Sequence, residues 1–304
     1  MGERDRVVGS VLGLALDDAL GAPFEFLRRA NVPDPIPALE LPWIGRPPGS
    51  TTDDTAMARN LVRSLVANDG FDEEDLVRRH VAWIASDPPD VGAMTGRVLR
   101  RAQRGEDAAA VARELWEQRG PEVSAGNGSV MYCAPLGLAC ANRPGELFEL
   151  APRLSALTHY DGRCRTAVLA VTLAVASLVR GEPPATAARS ALSGVEQHEG
   201  GEELEYLVEA AGGARPIDGP DQGFCLFTAG VAVQALLRGG DFETELRRVV
   251  SLGGDADTNA AVAGALLGAF VGVDGLPHDW LGRLQDRVAI EAEAETLVPL
   301  ALRN

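Results

Sequence analysis

A chain of 304 residues with 46% hydrophobic and 24% charged side chains is long for one domain and apolar enough to bury a large core, which excludes intrinsic disorder. Its formal net charge of -16 and pI of about 4.7 exclude non-specific binding to nucleic acid or to an anionic membrane. All 28 Lys-plus-Arg residues are arginine, so a Schiff-base lysine, a P-loop lysine and a lysine general base are excluded as well.

The apolar residues are mainly Ala, Leu and Val with 5% aromatics, a mixture that favours close-packed helices over sheets. No segment alternates with period two and no fixed-period repeat appears. The N-terminus lacks signal-peptide architecture, since charged residues precede a glycine-punctuated, Asp-containing segment. Residues 5–21 read as a helix whose small side chains permit close helix contact. Residues 28–50 are proline-rich and irregular, and loops of that length in compact domains are often functional. Helices are predicted at 53–68, 73–85, 90–104 and 106–118. A glycine-rich loop, 120–129, precedes a helix running to about 141. Further helices are predicted at 145–157, 163–180, 184–192, 202–211, 223–238, 242–250, 256–270 and 279–287, with 193–222 exposed around its short helix. The fold class expected is all-α, a compact many-helix domain over 1–304. No apolar run reaches bilayer-spanning length, the stretch 166–179 being too short, so no membrane partner and a cytoplasmic location are expected. Cys133, Cys140, Cys164 and Cys225 show no CxxC pairing and read as buried free thiols.

Chemistry collects at two helix starts. Residues 49–55 read GSTTDDT and residues 252–260 read LGGDADTNA, each followed by an apolar helical run. Asp, Thr and Asn are good N-caps and acids suit the positive end of a helix, so two ordinary caps are one reading. Each cluster, however, carries more acids than one cap uses. If Thr52, Asp53 and Asp54 face Asp255, Asp257 and Thr258, four carboxylates meet, and only cations between them relieve the repulsion. An all-oxygen set without His or Cys suits Mg²⁺, Mn²⁺ or Ca²⁺ and not zinc. Neither cluster has EF-hand spacing, and Met57 stands where a DDxxD pattern needs an acid.

In register along the chain, GSVLGLALDDALGAPFEF (9–26), STTDDTAMA (50–58), PDVGAMTGRVL (89–99), GNGSVMYCAPLGL (126–138), LTHYD (157–161) and LGGDADTNAAVAGALLGA (252–269) resemble the motifs of the ADP-ribosylglycohydrolases. The resemblance covers nearly the whole chain. It implies an all-α fold holding two Mg²⁺ ions between helix N-termini. It further implies hydrolysis of the N- or O-glycosidic bond between ADP-ribose and an acceptor side chain, often Arg, on an ADP-ribosylated protein or small molecule. Carried over by position, Thr52, Asp53, Asp54, Asp255, Asp257 and Thr258 would be metal ligands, and Asp257 would also take part in catalysis.

The resemblance also points to residues that read two ways on their own. Glu25, at the start of the proline-rich loop, is a solvated acid or a substrate or metal contact. Asp90 is a helix cap or a catalytic acid. Asn127, Gly128 and Ser129 form a turn, or offer N–H groups to a pyrophosphate ahead of a helix. His159 matches a histidine near the phosphates. Phe224 is a core residue or stacks on adenine. His80, His198 and His278 read as structural or exposed. Two positions depart from the family pattern. Asp17 stands in place of a glycine beside Asp18, and Tyr132 replaces an arginine, which leaves another ribosyl- or nucleotide-derived substrate, or a non-catalytic ADP-ribose-binding role, as the alternative.

Overall fold

The computed structural model describes residues 1–120, 123–198, 201–213 and 222–303, with the side chain of His198 outside that set. Among the described residues fifteen α-helices follow one another: α1 (Glu3–Gly21), α2 (Asp53–Ala67), α3 (Glu73–Ile84), α4 (Ala93–Ala102), α5 (Ala108–Arg119), α6 (Ala134–Ala139), α7 (Leu147–Ala156) and α8 (Gly162–Val179). Then come α9 (Pro184–His198), α10 (Glu202–Ala211), α11 (Cys225–Arg238), α12 (Phe242–Val250), α13 (Ala256–Val271), α14 (His278–Leu281) and α15 (Arg287–Ala301). No strand occurs among the described residues, only isolated bridges such as Arg28 with Gly253 and Gly126 with Phe224.

Local chemistry sets five of the helix starts. Asp72, Asp107, Asp161 and Asp241 each accept a backbone N–H from the first turn that follows, at α3, α5, α8 and α12. Thr52 caps α2 by accepting from the Asp54 N–H.

The core is organised by α1 and α13, the most extensively packed pair. A Cβ on Gly13 would lie 2.3 Å from the Gly264 carbonyl oxygen, and one on Gly268 would lie 2.1 Å from that of Gly9. Glycines spaced four apart on both helices therefore let the two backbones touch. The same closeness at the other end brings the α13 start against α1, where a Cβ on Gly21 would meet the Asp257 Cα at 2.4 Å. α8 packs on α6, α7, α9, α11 and α13, and α15 closes over α1 and α2.

Several expectations need correction. Two helical segments, Glu3–Phe24 and Gly162–Val179, are long and apolar enough to cross a membrane by length and composition, contrary to the sequence reading. Their apolar windows are 94% and 83% buried against other helices, as core helices are. The helix expected at 279–287 is instead α14, a break with Asp286 at φ 56°, and the unforeseen α15. α9 runs on to His198 where exposed loop was expected, and the helix after the glycine-rich loop is only Ala134–Ala139, preceded by turns. The four cysteines are buried and unpaired by disulfides.

Candidate functional site

The start of α2 is fixed by a residue that was given no role from sequence. Asp18, fully buried on α1, accepts from the Thr52 N–H at 3.0 Å, the Thr55 N–H at 3.1 Å and the Thr55 hydroxyl. Burial raises its pKa to about 6 against these bonds, which favour the ionised form. Asp18 thus orients the Thr52–Asp53–Asp54 turn so that Asp53 and Asp54 face inward.

The start of α13 is built differently. Gly253 and Gly254 both adopt positive φ, and a Cβ on Gly254 would fall 1.3 Å from the Gln222 amide oxygen. This turn pairs with the chain leaving α1: Gly254 donates its N–H to the Leu27 carbonyl at 2.7 Å, and Phe26 donates to the Gly254 carbonyl at 2.6 Å. Glu25 is thereby held beside the α13 start. Oxygens of Glu25, Asp255 and Asp257 lie within 4.8 Å of one another.

Asp255 occupies the N-cap position of α13 but makes no side-chain cap bond. Its Oδ2 instead accepts from the Asn127 amide at 2.8 Å, and the same amide donates to the Thr228 hydroxyl at 3.0 Å. Thr228 in turn donates to Asn259 at 2.7 Å, whose amide donates to the Gln222 carbonyl at 3.2 Å. Asn127 is therefore a strut for Asp255. Its backbone N–H is also engaged, by the Gly223 carbonyl, so it adds nothing to an anion cradle.

The two acidic clusters do meet. The Thr52 and Thr258 hydroxyls converge on Asp54 Oδ2 at 3.1 and 3.5 Å. Asp54 Oδ1 is buried without a partner. Asp90 lies three residues before α4, does not cap it, and faces Asp53, whose Oδ2 accepts from the Gly92 N–H at 3.1 Å. None of Asp18, Glu25, Asp53, Asp54, Asp90, Asp255 and Asp257 forms an ion pair among the described residues. Burial, then neighbouring acids, pushes Glu25 and Asp53 up to about 8 and holds Asp54 and Asp257 well above the usual carboxylate range. Asp90 and Asp255 are raised by burial against hydrogen bonds that oppose it. Mutually repelling carboxylates, a buried oxygen without a donor and an all-oxygen set fit hard divalent cations.

These groups sit at one side of a cleft of about 550 Å³ that Glu25, Asp53, Asp90, Asp255, Asp257 and Thr258 share with Asn127, Gly128 and His159. His159 is buried and bonded through Nδ1 to the Thr158 hydroxyl at 3.0 Å, and burial lowers its pKa to about 4. It is a neutral imidazole at neutral pH, a dipolar partner for a ligand and not a cation. Gly128 must be small, since a Cβ there would lie 2.8 Å from the His159 ring. Ser129 is turned away: its hydroxyl bonds that of Ser155 at 2.9 Å in the core. Of Asn127, Gly128 and Ser129, the last two have N–H groups with no partner among the described residues, and they belong to a turn, not to a helix start.

Phe224 does not line the cleft. Its ring stands edge-on to Tyr206 with centroids 4.9 Å apart and lies under the Arg163 guanidinium. The aromatic ring the cleft presents is Phe26, 79% exposed at a φ of 62°, which sequence reasoning passed over. Arg119 is a further lining residue not foreseen. Tyr132 is fully buried, edge-on to His80, so the lost arginine leaves no gap in the cleft wall. Asp17 points at Gly264, with neither oxygen bonded among the described residues.

Among the described residues the fold is all-helical, with an acid-rich cleft between two helix starts. The chain belongs to the ADP-ribosylglycohydrolase family, whose model matches residues 1–304, and by that membership it is a glycosidase of ADP-ribosyl linkages. It is 31% identical over 303 residues to the ADP-ribosyl-[dinitrogen reductase] glycohydrolase of Rhodospirillum rubrum, covering 98% of this chain and 96% of that protein. It is 27% identical over 307 residues to the ADP-ribosylarginine hydrolase Tri1 of Pseudomonas putida (strain GB-1), covering 96% of this chain and 78% of that protein. Among solved structures it superposes on a chain of an ADP-ribosylglycohydrolase-related protein complex with a TM-score of 0.81, 34% identity and 99% of each chain covered.

Proposed function

We propose that this protein is a Mg²⁺-dependent hydrolase that cleaves the glycosidic bond between ADP-ribose and an acceptor side chain, arginine among the candidates, and releases ADP-ribose. The observation that carries the reading is the convergence of Glu25, Asp53, Asp54, Asp90, Asp255 and Asp257 without a paired cation at one side of a ligand-sized cleft. Thr52, Asp53, Asp54, Asp255, Asp257 and Thr258 would hold two Mg²⁺ or Mn²⁺ ions, with Glu25 in reach of the second trio. When bound, such ions supply positive charge for ribose hydroxyls and water at the reacting centre.

The chain's own groups do the rest. Asn127 fixes Asp255, and Asp18 fixes Asp53 and Asp54, so the ligand oxygens are set before substrate arrives. Glu25 and Asp90 are the half-buried acids on the cleft wall, positioned to move a proton between water and the leaving acceptor nitrogen or oxygen. The unpartnered Gly128 and Ser129 N–H groups and neutral His159 suit the pyrophosphate, and Phe26 is the ring available to stack on the base. Because Tyr132 lies outside the cleft, its substitution gives no support to a different small-molecule substrate. The test is release of free ADP-ribose from a panel of linked substrates with Mg²⁺ or with EDTA. Release from no linkage in the presence of Mg²⁺ would refute the reading.

A further inference from the structure

Beyond the acidic cluster, the outward face of α2 opens into two further hollows in sequence. The first, about 290 Å³, shares Asp53 and Asp90 with the main cleft and is walled by Trp43 and Trp83, with Arg46 and Arg59 at its sides. The second, about 460 Å³, shares Arg59 and Trp83 with the first and continues along Asn60, Arg63 and Arg79. Residues 56, 59, 60 and 63 lie on one face of α2, and 79, 82 and 83 on one face of α3, so the two hollows form a single trough between these helices.

The charge of the outer hollow runs against that of the molecule, whereas the inner one sets Arg46 and Arg59 against Asp53, Asp87, Asp90 and Asp286. On a chain with a net charge of -16, the outer hollow has three arginines and no acid in its wall. The nearby carboxylates lie outside that wall, and two of them are shared between cations. Glu293 is shared by Arg59 at 2.9 Å and Arg63 at 2.6 Å, and Asp75 by Arg79 at 2.6 Å and Arg78 at 2.7 Å. The exposed Asp286, 3.5 Å from Arg59, is the third carboxylate, so that with Arg78, outside the wall, four guanidiniums face three carboxylates. Cations held in place by shared acids, beside an indole wall, make a preorganised surface for carboxylates of a partner.

We propose that this trough docks an acidic polypeptide segment flanking the ADP-ribosylated residue, so that the protein acts on modified proteins and not only on small ADP-ribosyl compounds. The inference rests on the hydrolase reading for what lies in the main cleft. Its geometry follows from α2: Asp53 to Arg63 spans about 15 Å at the helical rise. An extended peptide covers that distance in about four or five residues. The modified residue enters between Trp43 and Trp83 toward Asp53 and Asp90, and acids about four or five positions away reach Arg63 and Arg79.

Two readouts separate docking from hydrolysis. Fluorescence anisotropy follows binding of a labelled, unmodified peptide with Glu at the fourth and fifth positions from an arginine, against the same peptide with Gln. At about 50 mM salt, where surface charge is weakly screened, the wild type binds the Glu peptide roughly threefold to tenfold tighter. An Arg63→Gln/Arg79→Gln variant loses that preference, and an Arg63→Lys/Arg79→Lys variant keeps most of it. Release of ADP-ribose from free ADP-ribosyl-arginine is unchanged in both variants, which also shows that they fold. Equal binding of the two peptides by the wild type, or a preference undiminished in the Gln variant, overturns the docking site. Failure to release ADP-ribose from the small substrate alongside an intact, Arg-dependent Glu preference overturns the hydrolase reading alone and supports the trough as an acidic-peptide site.

Discussion

At Asp257 the cap reading and the ligand reading of an acidic helix start make opposite predictions. Asn caps a helix about as well as Asp, so a capping role makes Asp257→Asn mild. Asp257 is buried, accepts from the Thr258 N–H at 2.9 Å and is crowded first by burial and then by Asp54 and Asp255. As a metal ligand it loses a charged oxygen on substitution. The expected outcome is ADP-ribose release reduced by about a hundredfold or more, in line with losses at tightly built catalytic groups, with a melting temperature in EDTA that is unchanged or raised. Full activity in this variant would remove Asp257 from the ligand set. Asp17 makes the complementary case on the neighbouring helix. Both its oxygens are buried without a protein partner against Gly264, and burial followed by Asp18 raises its pKa well above the usual range. An unsatisfied buried polar group costs about 1–3 kcal/mol, so Asp17→Ala is expected to raise the urea midpoint while activity persists. A lower midpoint would show that Asp17 has a stabilising role. Asp53, Asp54, Asp255 and Asp257 were legible in sequence because their surplus over capping needs was visible in two short strings, whereas Glu25 and Asp90 stood out only through the family resemblance and Asp18 was given no role. Asn127 and Ser129 were legible only as positions: their side chains serve Asp255 and Ser155, partners more than 20 residues away that no local pattern announces. Phe224 was likewise legible only as a position, its ring packing edge-on to Tyr206 and lying under Arg163.

Between elements, the α1–α13 contact transmits packing to the site. Gly13 and Gly264 touch backbone to backbone two turns from Gly21, against which Asp257 rests. Adding a methyl group at Gly13 forces the helices apart, since the atom it meets at 2.3 Å is a backbone oxygen with no freedom to rotate away. Overpacking of this kind costs about 1–3 kcal/mol. Gly13→Ala is therefore expected to lower the melting temperature and also to weaken Mg²⁺ binding, because Asp257 moves relative to Asp54. Calorimetric titration of Mg²⁺ into the folded variant checks the second effect, and wild-type affinity there would show that the site floats free of this contact. Helices with strong periodicity or an Asp cap were visible from sequence, as at α2, α3 and α12. α15 was missed although Ile290, Ala294, Leu297 and Ala301 recur at helical spacing, because Pro299 falls inside its last turn and argues locally against a helix. The helix expected to run to residue 141 shrank to α6, since the turns at 128–132 carry Gly128 under His159.

For the whole molecule, acid stability depends in part on a buried histidine that does not line the cleft. His80 is fully buried, edge-on to Tyr132 with Asn60 beside Nδ1, and burial lowers its pKa to about 3. In the unfolded chain the imidazole titrates near its ordinary value of 6.5. Between these values the unfolded state binds a proton that the folded state refuses, so stability rises with pH across this window. The contribution is intact above about 6.5 and is lost progressively as pH falls toward 3. The carboxylates of the cluster act in the opposite sense without metal, because their raised folded values favour the protonated fold at low pH. Comparing wild type with His80→Gln cancels that common background. By pH 4.5 the wild type is expected to have lost roughly 2–3 kcal/mol relative to the variant, two pH units below the unfolded value at about 1.4 kcal/mol each. The gap between their urea midpoints, measured in EDTA from pH 7.5 down to about 4.5, should therefore shift steadily in favour of the variant. A gap that stays constant over this range would mean that His80 takes up its proton inside the fold.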